Sequence, residues 1–144
     1  MTPGELEGLA RRFFELVYIR HDLALASELL AETFVDHLPP RSGLLTNPAS
    51  PAAHFKVLLD ASDDLSVEIL DLVTDGRWVG IRGRYFGTDT GGIYPGMPAC
   101  GRRFDIEGID VFAIDDSGKF ADHIGIVDMR DAMSQLGIRS SGLL

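Results

Sequence analysis

Cysteine occurs once in the 144 residues, at Cys100, so no disulfide can form within the chain. A reducing compartment is the expectation that follows. Basic residues are also scarce, with thirteen Lys and Arg against 22 Asp and Glu and a net charge of −9. Those that adjoin, such as Arg11-Arg12 and Arg102-Arg103, are merely pairs. This excludes the basic footprint of a phosphate-backbone partner, and no nucleic acid is expected. No apolar run reaches the ~18 residues that a membrane span requires, and the first residues lack a basic segment leading into an apolar core. A cytoplasmic protein without a membrane partner is therefore expected. His21, His37, His54 and His123 are dispersed without ligand spacing, and Gly91-Gly92 and Gly96 precede no phosphate-binding helix. Neither a metal nor a nucleotide cofactor is expected.

What is present suits one domain covering residues 1–144, with 45% hydrophobic residues to build a core. Leu6, Leu9, Phe13, Leu16 and Val17 recur at helical spacing and predict a first helix over 5–20. Asp22 is suited to cap a second helix through Glu32. Pro39-Pro40 prevents that helix from continuing. Ser50-Pro51 opens a third, carrying Phe55, Leu58 and Leu59. After Asp63-Asp64 the period becomes two, and four strands are predicted: 65–74, 78–86, 102–114 and 119–128. Asp75-Gly76 supplies the first hairpin turn, and residues 115–118 supply the last. The Gly- and Pro-rich stretch 87–101 is long enough to reach over a pocket. Three helices followed by an antiparallel meander make an α+β domain, a curved sheet whose concave face the helices close.

The last strand carries an ionisable group. Plain alternation places Asp122, Ile124, Ile126 and Asp128 on one face, expected to be the inner one, with His123, Gly125 and Val127 on the other. Asp128 then either caps the short helix that follows or serves as an acid–base group, and the two are compatible.

Four segments in order, ARRFFELVYIRHDLALASELLAETFVDH, GTDTGG with PGMPACG, IDVFAIDDSGKFADHIGIVD and the terminal QLG, resemble the SnoaL-like polyketide cyclase family of the NTF2-like superfamily. The resemblance covers nearly the whole chain and implies an NTF2-like cone. It implies a cofactor-free cyclase that closes a ring of an aromatic polyketide ester by intramolecular aldol condensation, its acid and base the last-strand carboxylate, Asp128. A proton lying between activating carbonyls leaves a carbanion that the substrate itself delocalises, so a positioned base suffices.

His37 is the expected partner of a substrate carbonyl, or else a cap on the end of the second helix. Phe14, Tyr18, Phe55, Trp78 and Tyr85 are expected pocket walls for a flat substrate, or else core. Ile124 stands where relatives carry Trp. His123 is expected to face away from the cavity, and His21 and His54 to be surface or packing residues. An epoxide-opening branch of the superfamily uses two aspartates and an arginine. Asp110 could supply one carboxylate, but Gly108 holds the position of the arginine. A non-catalytic binding or dimerisation module is the third reading. As relatives commonly do, the chain is expected to form a homodimer or homotetramer, through an apolar outer stripe on the last strand.

Overall fold

The computed structural model describes residues 1–37, 51–94 and 96–138. Thr2 and Glu5 cap each other's backbone in a capping box that starts helix α1 (Pro3–Phe14), two residues ahead of the expected start. The helix widens into a π-helical turn, Glu15–Ile19. Asp22 caps α2 as expected, but α2 is a single short turn, Leu23–Ser27. The last three residues of the predicted second helix, with the segment that follows it, form strand β1 (Leu30–Asp36), which pairs in parallel with the last strand. Helical apolar spacing lost here to the unpaired edge of that strand, whose backbone groups gain partners in Leu29 and His37. Helix α3 is Ala53–Ala61. Pro51, the expected first helical residue, lies in the turn two residues before α3, whereas Ser50 and the Pro39-Pro40 stop lie outside the described residues.

The meander follows as read: β2 (Ser66–Asp75), β3 (Trp78–Thr88), β4 (Arg103–Ile114) and β5 (Phe120–Val127), closed by α4 (Met129–Leu136). The sheet order is β1-β5-β4-β3-β2, antiparallel except for the β1–β5 pair. Gly76 takes a φ of 59° in the two-residue turn between β2 and β3, where glycine carries no steric cost. The sheet is curved and unclosed, and the helices cover its concave side.

Phe13 of α1 stacks edge-on against Phe55, Phe112 and Phe120 at centroid distances of 5.1, 5.6 and 5.5 Å, joining α1, α3 and the sheet in one aromatic core. Gln135 of α4 bonds both the N–H and the C=O of Asp105. Strand β5 pairs with β4 only as far as Gly108, so the glutamine side chain replaces a missing strand there. Gly137 then ends α4 in the left-handed conformation, with φ 72°. These contacts explain the terminal Gln-Leu-Gly physically.

One irregularity decides which side chains face inward. Ile114 pairs with Phe120 but Ala113 pairs with Asp122, so β5 holds one extra residue, Ala121, at a bulge. Alternation counted from the buried Phe120 would place Asp122, Ile124 and Ile126 inside. The bulge shifts the parity by one, and the inner face instead carries His123, Gly125 and Val127. Ile124 and Ile126 are exposed, and His123 is buried. The expected orientation of this strand is therefore reversed.

Candidate active site

Four strands and a helix deliver ionisable side chains to one point under the aromatic core. His123 is aligned with Asp36 across the β1–β5 pair, and Asp110 lies one step along the inner face of β4 from Phe112, the residue opposite His123. The imidazole is held at both nitrogens: Nδ1 is 2.8 Å from Oδ1 of Asp36, and Nε2 is 2.6 Å from Oδ1 of Asp110. The second oxygen of Asp36 lies 3.0 Å from Nδ1 of His54 on α3. The second oxygen of Asp110 accepts from the Tyr85 hydroxyl. The side chains of Asp36, His54 and His123 are 1%, 3% and 6% exposed. Phe55 and Phe112 stack on the His123 ring.

Burial by itself would strip the proton from His123, but the hydrogen bonds and charges of Asp110 and Asp36 outweigh it and raise the pKa to about 9. His123 is thus an imidazolium at neutral pH, donating from both nitrogens to carboxylates that can only accept. Burial pushes the Tyr85 and Tyr18 hydroxyls well above the ordinary tyrosine value, and the Asp110 charge adds to it. Both stay protonated. Among the described residues no three His, Cys, Asp or Glu side chains converge as metal ligands.

Backbone space shapes this centre. Gly83 and Gly108 are opposed across β3 and β4, and a Cβ on either would come within 3.2 and 3.1 Å of the Tyr85 ring. The ring lies over this glycine floor with its hydroxyl directed at Asp110. A Cβ on Gly125 would sit 2.7 Å from Oδ1 of Asp110 and 3.1 Å from Nε2 of His123. The loop after β3 is tied by Asp89, which accepts from the backbone of Gly92, Ile93 and Cys100. Although burial opposes it, those hydrogen bonds hold the Asp89 carboxyl below its usual value.

The expected site residues divide between this centre and the surface. Tyr85 and Asp110 belong to it, Tyr18 packs its ring on Tyr85 at 5.5 Å, and Phe55 covers His123. Phe14 is core beside Tyr18 and Phe112. Asp128 does not face inward: it is an exposed cap, accepting from Asp131 N–H at 3.0 Å to start α4. His37 is exposed at the end of β1, where its Nε2 meets Asp122 at 3.0 Å. It cannot cap the second helix, which ends ten residues earlier. Trp78 opens β3 with 47% of its surface exposed, and Ile124 lies on the outer face.

Sequence reasoning missed His123, Asp36 and His54. His123 was legible only to a reader who knew of the bulge, because parity assigned it outward. Asp36 fell in the short segment read as the connection between the second helix and Pro39-Pro40. His54 showed no signal beyond its place three residues after Pro51, the predicted first position of helix three.

A family model described as SnoaL-like polyketide cyclase matches residues 8–136. Among solved structures, TsrD from Streptomyces laurentii is 27% identical with a TM-score of 0.82, the match covering 96% of this chain and 99% of that one. IdmH from Streptomyces antibioticus, a candidate polyketide cyclase, is 24% identical with a TM-score of 0.75 over 92% and 99% of the two chains. AclR from Streptomyces galilaeus, a candidate hydroxylase, is 21% identical with a TM-score of 0.76 over 94% and 98%. No curated protein matches the chain.

Proposed function

The chain belongs to the SnoaL-like polyketide cyclase family, and from that premise we propose that it closes a ring of an aromatic polyketide intermediate by intramolecular aldol condensation at Asp110 and His123. The observation that carries this reading is the buried carboxylate–imidazolium pair, 2.6 Å apart, on the concave face of the sheet. A carboxylate oxygen has two lone pairs, so Asp110 keeps an acceptor position beyond its bonds to His123 and Tyr85.

In the step proposed, Asp110 takes a proton from a carbon that lies between two carbonyls. The resulting enolate carbon attacks a second carbonyl carbon of the same molecule: a C–C bond forms and the C=O π bond breaks. The oxygen that gains the electron pair takes a proton from the His123 imidazolium. The proton left on Asp110 then crosses to Nε2 and restores the starting state. Product and substrate are isomers before any loss of water. Both reacting carbons belong to one molecule, so holding them together supplies much of the acceleration. Asp36 keeps the imidazole oriented and charged.

The test is a chromatographic and mass-spectrometric turnover assay with an anthraquinone polyketide methyl ester. Asp110→Asn and His123→Gln are each expected to lose roughly 10²- to 10⁴-fold in kcat/KM. Asp128→Asn is expected to retain it, because its carboxylate is an exposed helix cap. Full activity in Asp110→Asn, or its loss in a folded Asp128→Asn, would return the acid–base role to the strand end.

A second reading has its own observation. Asp36 and Asp110 bracket one cation, His123, which is the charge pattern of two carboxylates and a cation that epoxide opening requires, with the imidazolium in place of an arginine. Conversion of an epoxide substrate, with no isomerisation of the polyketide ester, would select this branch.

A further inference from the structure

Behind His123 the Asp36 carboxylate meets two imidazoles: Oδ1 is hydrogen-bonded to Nδ1 of His123, and Oδ2 lies 3.0 Å from Nδ1 of His54, a close contact off the line of a hydrogen bond. A carboxylate held at one oxygen alone can turn about its Cβ–Cγ bond, whereas here the second oxygen is packed against a buried imidazole that resists the turn. The two anchors come from opposite sides, β5 and α3, so the helix and the sheet jointly fix the plane of the carboxylate. We infer that His54 is a positioning residue of the acid–base centre, acting through Asp36 to fix the orientation and the proton affinity of His123. Its catalytic meaning rests on the role proposed above for Asp110 and His123, but its effect on His123 is measurable without any substrate.

Competition is the physical basis. Two imidazoles that share one carboxylate each receive less of its charge than either would alone. His123 faces Asp36 on β1 and Asp110 on β4, with His54 of α3 beyond Asp36 and the Tyr85 and Tyr18 hydroxyls of β3 and the π-helical turn near Asp110. Phe55 and Phe112 cover the ring faces and contribute no charge. Removing His54 would leave the whole charge of Asp36 to His123, which would hold its proton to higher pH. Removing the Asp36 charge would do the opposite. A residue that only filled space would move neither.

The experiment is an NMR titration of the His123 ring nitrogens in the full chain, with the pH profile of kcat/KM recorded beside it. In His54→Phe the His123 midpoint should rise by about one unit. The basic limb of the profile should move with it. His54→Gln, whose amide N–H can take the place of the imidazole N–H beside Asp36, should bring the midpoint back toward that of the wild type. Asp36→Asn should lower the midpoint, and His54→Phe added to Asp36→Asn should then move it no further. An unchanged His123 midpoint in a folded His54→Phe protein would overturn the inference. So would a His54→Phe shift of the same size with and without Asp36. If wild type shows no turnover of any polyketide ester, the cyclase reading fails while the titration still decides the role of His54.

Discussion

At the scale of single residues, the charge on His123 links the site to stability. Its folded pKa is about 9, raised from the ordinary value of 6.5. A raised histidine pKa means the folded state binds the proton more tightly. The stabilisation is therefore complete below pH 6.5 and is lost as pH climbs through about 9. The difference corresponds to on the order of 3 kcal/mol. Urea unfolding at pH 6 and at pH 9.5 should show the wild type losing much of that amount, and His123→Gln should lack this dependence. Equal slopes in the two proteins would mean that the imidazole is not charged in the folded state. Not all of this was readable beforehand. Tyr85 and Asp110 could be picked out as polar groups on an otherwise apolar face. His123 could not, because its direction depends on one bulged alanine.

Among the elements, the loop from β3 to β4 is ordered by a single carboxylate. Asp89 satisfies three backbone N–H groups while its own N–H donates to Arg102 and its C=O accepts from Gly101. The loop is also docked on α3, since Gly91 N–H donates to Ala61 C=O and a Cβ at Gly91 would lie 2.0 Å from Asp60 O. Asp89→Ala takes the acceptor from those three partly buried donors, at about 0.5–1.5 kcal/mol for each hydrogen bond lost. The variant should be cut by protease between residues 89 and 101 under conditions where the wild type resists. A wild-type cleavage pattern would show that the docking on α3 alone holds the loop. The sequence marked this segment as a loop through its glycines and prolines. Its anchoring was not visible, because the donors that Asp89 gathers are backbone N–H groups, which carry no side-chain signature.

For the molecule as a whole, the same bulge that turns His123 inward turns Ile124 and Ile126 outward. Ile126 is 63% exposed and pairs across the sheet with Ile109, itself exposed, making an apolar strip on the convex side. The expected outer stripe of His123, Gly125 and Val127 is replaced by this one. Beside it Arg82 bridges Asp71 and Glu107, and Arg84 bridges Glu68 and Asp105, a charged border to the strip. A second copy of the chain, related by a two-fold axis, would bury isoleucine on isoleucine. Light scattering should find a dimer in the wild type and a single chain in Ile126→Lys, with unchanged circular dichroism. A wild-type monomer would remove the proposal. No helix among the described residues is long and apolar enough to cross a membrane.

The local order of the chain was determined by the sequence itself. Helical and alternating periodicities located α1, α3 and the four meander strands, and Asp22 and Asp75-Gly76 marked a cap and a turn that form as their chemistry requires. These features depend on residues within a few positions of each other, so a linear reading captures them. Only the tertiary structure decided that Leu30–Asp36 is a strand, that Ala121 bulges, and that Asp36, His54, Asp110 and His123 converge. Asp36 and His123 are 87 positions apart. Which face a strand side chain occupies depends on its partner's register, and that register belongs to the folded sheet.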